Sequence, residues 1–122
     1  MALTMNTREV GDVTVVDLNG RIALGEESAA LRDKMAYLFG EGRKKILLNL
    51  KDVSYIDSSG LGALVSSYTS AKKQNVDVKL SALSDKVSDL MEITRLYTVF
   101  DIAPDEATAL ASFGKSTATA KA

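Results

Sequence analysis

The sequence predicts an α/β fold: one domain on a mixed β-sheet of four to five strands that opens with an amino-terminal hairpin, interleaved with about four α-helices. Three observations carry this reading. Val76-Asp77-Val78-Lys79-Leu80-Ser81 alternates with period two, the mark of a strand with one buried face. Leu61, Leu64, Val65, Tyr68 and Ala71 recur at helical spacing, so one helix face is apolar and lies against a sheet. Strand-like and helix-like segments follow one another in the order β-β-α-β-α-β-α-β-α, with no repeat, linker or second domain.

Taken in order, Leu3 to Val10 reads as a first strand, and Gly11-Asp12 is a hairpin turn into a second at Val13 to Leu18. Gly20 to Gly25 reads as a loop. Ala30, Leu31, Met35, Leu38 and Phe39 then form one face of a helix that Gly40 or Gly42 closes. Arg43-Lys44-Lys45 is a solvated entrance to Ile46-Leu47-Leu48-Asn49-Leu50, whose nearly continuous apolar character suits a central strand covered by helices. The next helix runs from Ser59 to about Gln74, with Lys72 and Lys73 complementing its negative pole. It forms the crossover to a strand at Val76 to Ser81, parallel to the preceding one. Ser84-Asp85 caps a helix with Val87, Leu90, Met91 and Thr94 on one face. Tyr97 to Ile102 ends the sheet, and Pro104-Asp105-Glu106 opens a last helix with Ala107, Leu110 and Ala111 inward and Gly114 at its end. Residues 1–114 are thus the expected domain and 115–122 a disordered tail.

The 122 residues suffice to bury roughly two thirds of the surface the unfolded chain exposes. Fifteen Lys and Arg against 16 Asp and Glu leave a net charge of −1, which gives no electrostatic reason to expect nucleic acid or anionic lipid as a partner. Cysteine and histidine are both absent. Disulfides, thiolate metal sites, Ser-His-Asp and Cys-His catalysis and imidazole base chemistry are therefore excluded, and neither cofactor nor metal is expected. No apolar stretch reaches membrane-spanning length and the amino terminus lacks a signal pattern, so the expected address is cytoplasmic.

Chemistry concentrates where the central strand ends and the next helix begins, at Asp57-Ser58-Ser59-Gly60-Leu61-Gly62. Asp57 or Ser58 is the expected N-cap, accepting from an N–H that the first turn leaves unpaired. Gly60 and Gly62 keep the helix start bare, so that another backbone or an anion can approach. Serine hydroxyls at this electropositive pole are a reason to expect a phosphate, bound or covalently attached. The run lacks the Lys and spacing of a phosphate-binding Gly-x-x-x-x-Gly-Lys-Ser/Thr loop and is not a Gly-x-Ser-x-Gly nucleophile elbow. No enzymatic activity is expected.

With its Val53-Ser54-Tyr55-Ile56 lead-in, this run resembles the signature of STAS domains, specifically the bacterial anti-sigma factor antagonists. The resemblance covers almost the whole chain. It implies the STAS fold, phosphorylation of the serine after the aspartate, here Ser58, and partner contacts through Asp57, Ser59, Gly60, Leu61, Gly62 and Arg21. It implies a protein that, unphosphorylated, binds an anti-sigma factor that is also a serine kinase and so frees the sigma factor; phosphorylation ends the complex and a serine phosphatase restores it. Many relatives carry an acidic residue in the loop after the second strand, where this chain reads Gly20-Arg21-Ile22-Ala23; the departure bears on which partner is recognised. Similar domains regulate phosphatases, secretion or stress complexes, or act as scaffolds or transport subunits that receive no phosphate. Two roles are open to Asp57, orienting the Ser58 hydroxyl and capping the helix, and they are compatible.

Overall fold

A computed structural model describes residues 3–121, with side chains through residue 113. Strand β1 (Leu3–Val10) and strand β2 (Val13–Ile22) pair antiparallel through the Gly11-Asp12 turn, Val10 facing Val13. Gly11 has φ 61°, the left-handed conformation that a tight two-residue turn requires. Helix α1 (Glu26–Gly40) leads to β3 (Lys45–Ile56), helix α2 (Ser58–Lys73) to β4 (Asp77–Ser81), and helix α3 (Asp85–Ile93) through a 3-10 turn at Leu96–Thr98 to β5 (Asp101–Ala103). Helix α4 (Glu106–Lys121) closes the chain.

The sheet order is β1-β2-β3-β4-β5, antiparallel only between the first two strands. The architecture is thus the mixed sheet with an N-terminal hairpin and four helices that the sequence predicts. Alternation along the central strands sorts the core. Val16, Leu18, Ile46, Leu48, Leu50, Val78 and Leu80 pack under α1, α2 and α3 through Leu31, Met35, Leu64, Tyr68, Val87 and Met91. Val13, Val15 and Leu47 face the other way, onto Ala109 and Phe113 of α4. Burial on both faces is why Ile46 to Leu48 reads as an unbroken apolar run.

Several boundaries differ from the sequence reading. Gly20 to Ile22 is strand, not loop: β2 continues through irregularities between Asp17 and Asn19 and between Gly20 and Arg21, and Gly20, at φ 114°, absorbs one of them. Ala30 is exposed and Ser28 takes the inward position in its place. In α4 the buried pair is Ala109 and Phe113, while Ala107 and Ala111 face solvent. Thr94 is exposed and lies beyond the end of α3. The α4 backbone continues past Gly114, because a glycine inside a helix costs about 1 kcal/mol relative to alanine and does not by itself end it. Ala122 of the expected tail lies outside the described residues.

Candidate functional site

The register of β2 on β3 builds the site. Ile22 pairs with Ile56, so both strands end at one level and their following segments, Ala23 to Gly25 and Asp57 to Gly60, leave the sheet side by side. Asp57 donates its N–H to the Ile22 carbonyl at 3.3 Å. Gly60 packs directly over that carbonyl: a Cβ there would stand 2.1 Å from the Ile22 oxygen and 2.8 Å from Ile56 Cγ2. The close approach needed at Gly60 is therefore that of a neighbouring backbone. Gly62 is different; it is exposed, with nothing within 4 Å of an added Cβ. Leu61, between them, is half-buried against the main core.

Asp57 is the N-cap of α2, in extended conformation. Its Oδ1 accepts from the Gly60 N–H at 2.9 Å and from the Ser59 hydroxyl at 2.7 Å, and its Oδ2 accepts from the Leu24 N–H at 3.0 Å. The carboxylate thus joins the helix start to the neighbouring loop. These donors, the Ser59 hydroxyl first and then the Leu24 and Gly60 amides, hold its pKa down to about 2. Of the two roles open to Asp57 in the sequence, capping is the one its contacts fill.

The two serines are held differently. Ser59 Oγ also accepts from the Gly25 N–H at 3.2 Å and lies 2.9 Å from the Oγ of Ser28, a buried residue in the first turn of α1. Ser58 is the first residue of α2, exposed, and its hydroxyl has no hydrogen-bond partner among the described residues. Leu24, 65% exposed, lies in the adjoining loop with its N–H bonded to Asp57, and Tyr55, 51% exposed, precedes the site on β3, where it lines a cleft with Lys86, Val87 and Leu90 of α3. Leu24 (φ 61°) and Gly25 (φ 62°) are both left-handed, a conformation that costs a leucine on the order of 1 kcal/mol and that Asp57 secures through the Leu24 N–H. Arg21 sits on β2 opposite Tyr55, exposed, with its Nε 3.5 Å from Glu27 Oε1; that oxygen also accepts from the Ala23 N–H at 3.1 Å.

The structure therefore gathers Asp57, Ser58, Ser59 and Gly60 with the loop after β2. It leaves Gly62 one turn along α2 and Arg21 on the flank, engaged with Glu27. Leu24 falls within the loop Gly20 to Gly25 that the resemblance sets on the same end of the sheet as Ser58, whereas Ser28 and Glu27 of α1 carry no signal in the sequence.

The model of the STAS domain matches residues 4–109. An anti-sigma-B factor antagonist of Bacillus subtilis (strain 168) is 33% identical over 102 residues, covering 84% of this chain and 92% of that protein. In fold, the chain is similar to an anti-sigma factor antagonist from Mycobacterium paratuberculosis, with a TM-score of 0.81 at 21% identity over 90% of this chain and 92% of that one. It is also similar to the Bacillus cell fate determinant SpoIIAA in its phosphorylated form, with a TM-score of 0.68 at 19% identity over 90% and 99% of the two chains.

Proposed function

The chain belongs to the STAS domain family, and from that premise we propose that it is an anti-sigma factor antagonist, a cytoplasmic binding protein without catalysis of its own that is switched by phosphorylation of Ser58. Unphosphorylated, it binds an anti-sigma factor with serine kinase activity and releases the sigma factor; a serine phosphatase reverses the modification. The observation that carries this reading is the contrast between neighbours. The Ser58 hydroxyl is exposed and uncommitted at a helix start, whereas the Ser59 hydroxyl is held by Asp57, Gly25 and Ser28.

The docking surface centres on Ser58, with exposed Leu24 of the adjoining loop as its apolar contact and Gly62 leaving room on α2. Asp57, Ser59, Gly60 and Leu61 shape it, and Arg21 lies at its rim. A phosphate adds about −1.5 to −2 charge and three acceptor oxygens at one point of this surface. If an unpaired, partly desolvated charge costs about 3 kcal/mol in the complex, affinity falls by roughly a hundredfold. The family resemblance implies an acidic residue in this loop where the chain has Ala23, so the partner is expected to differ in charge at the matching position.

The test is to incubate the wild type and the Ser58→Ala and Ser59→Ala variants with the cognate kinase and ATP and to measure intact mass. One added phosphate on the wild type and Ser59→Ala, and none on Ser58→Ala, is the expected result. Phosphate on Ser58→Ala with none on Ser59→Ala overturns the assignment. Ser58→Asp is expected to weaken kinase binding less than the phosphate does, because one charge and two oxygens mimic it poorly.

A further inference from the structure

Among the described residues, the exposed large apolar side chains fall into two groups and one outlier. Leu24 lies in the loop after β2 and Tyr55 near the end of β3, and Tyr37 has the Lys34 ammonium 5.9 Å from its ring centre. The other four, Ile93, Tyr97, Val99 and Ile102, are between 37% and 79% exposed and come from ten consecutive residues that link α3 to β5. Tyr97 and Ile102 stand on the wall of an open groove of about 840 Å³ that reaches inward to Leu83, Met91 and Phe100. Soluble monomers seldom leave apolar side chains gathered in this way except where something binds. The Ser58 switch does not use them: the groove is lined from α3, the 3-10 turn and β5, and none of its lining residues belongs to Asp57 to Gly62 or to the loop Ala23 to Gly25.

Two further features say what the groove accepts. Its lining carries two carboxylates, Glu92 and Asp101, and no cation. The nearest buried cation, Lys79, already faces Asp101 at 3.5 Å and Asp77 at 3.9 Å. From Asp85 to Glu106 the chain holds six carboxylates against two cations, Lys86 and Arg95. The second feature is β5 itself. It is three residues long and among the described residues pairs only with β4, so its outer edge presents backbone N–H and C=O groups to any extended segment laid beside it.

We propose that the groove between α3 and β5 is a second protein-binding surface. Its occupant is an extended partner segment with one or two bulky apolar side chains bracketed by Lys or Arg, lying along the outer edge of β5. The apolar anchors fill the space between Tyr97, Met91 and Phe100, and the flanking cations meet Glu92 and Asp101. Because this surface is separate from Ser58, binding there is independent of the phosphorylation state, and the protein can hold a second partner while the first is exchanged.

Selection of random dodecapeptides displayed on phage against the full chain tests this. Selected peptides are expected to carry a net positive charge and at least one large apolar residue. Their affinity is expected to fall at least tenfold in Tyr97→Ala and in Glu92→Lys, to fall with added salt, and to stay within twofold in Ser58→Asp. Both altered positions are exposed, and circular dichroism of each variant, with Glu92→Gln as a milder charge removal, verifies the fold. Enrichment of neutral or acidic peptides, no enrichment, or affinity unchanged in both groove variants overturns the proposal. Loss of binding in Ser58→Asp alone places the peptides at the switch and also overturns it. A concentration-dependent dimer abolished by Tyr97→Ala assigns the groove to a second copy of the chain and does the same.

Discussion

Gly60 and Gly62 sit two residues apart in one helix and answer to different forces. At Gly60 an added methyl meets the Ile22 carbonyl oxygen at 2.1 Å, a backbone atom that moves only if β2 moves. Gly60→Ala is expected to destabilise the fold by about 3 kcal/mol or more, at the upper end for overpacking. Gly62→Ala meets nothing within 4 Å and gains helix propensity, so it is expected to leave stability unchanged or raise it by up to about 1 kcal/mol. Urea unfolding of the two variants checks both; equal destabilisation would contradict the packing described for Gly60. Asp57 yields a pH prediction. Its carboxyl is held down to about 2 in the fold, against an ordinary 3.8. A depressed carboxylate contributes stability that is fully present above the ordinary value and is lost as pH falls through the folded one. The wild type is therefore expected to lose stability relative to Asp57→Asn between about pH 4 and pH 2, with the difference constant above pH 5. Asp17 and Glu106, also lowered by Arg8, titrate in both proteins, so only the difference between them reports Asp57.

At the scale of elements, what periodicity carried came out as strands and helices, and what depended on distant partners did not. Period two at β4 and the apolar run of β3 located those strands, and the residues that the spacing marked on α1, α2 and α3 are buried or half-buried, Ala30 and Thr94 excepted. The end of β2 was misread because glycine normally interrupts a strand, whereas Gly20 here accommodates an irregularity within a strand that continues to Ile22. In α4 alanines stand on every face and carry little pattern, so Phe113 and its register against Val13, Val15 and Leu47 were invisible without the sheet. The candidate site divides in the same way. Asp57 to Gly62 is contiguous and legible, while Leu24, Gly25 and Ser28 join it only because β2 and β3 end together. Arg8 supplies the test at this scale. From β1 it bonds both Asp17 oxygens, at 2.6 and 3.0 Å, and both Glu106 oxygens, at 2.5 and 3.0 Å, tying the start of α4 to the sheet. The side chains are one third to two fifths exposed, so solvent screens the pairs and Arg8→Ala is expected to cost about 1 kcal/mol, not the several kcal/mol of a buried network. We also propose that the fold does not need residues 115–122; deleting them is expected to leave the urea midpoint unchanged.

At the scale of the whole molecule, the proposed switch alters a surface and leaves the scaffold alone. The Ser58 hydroxyl has no intramolecular partner among the described residues, so its modification breaks no hydrogen bond and opens no cavity. Two electrostatic effects remain. The phosphate lies at the positive pole of α2, which is worth roughly 0.3–1 kcal/mol at an exposed site. It also lies next in the chain to the Asp57 carboxylate, ionised at neutral pH, whose repulsion across solvent is of similar size, about 1 kcal/mol for unit charges at 4 Å in water. The two oppose one another, and the net change in folding free energy is expected to stay within about 0.5 kcal/mol, which for a domain of this size moves Tm by no more than about 3 °C. The loss of partner affinity proposed above, roughly a hundredfold, is several times larger in free energy. Calorimetry of the phosphorylated and unphosphorylated forms, set beside their affinities for the kinase, separates the two quantities. A nearly unchanged Tm with a large affinity loss is the expected pair of results. A Tm shift above 6 °C with amide exchange quickened throughout α2 would mean that the phosphate acts by loosening the helix, and the switch would then be conformational.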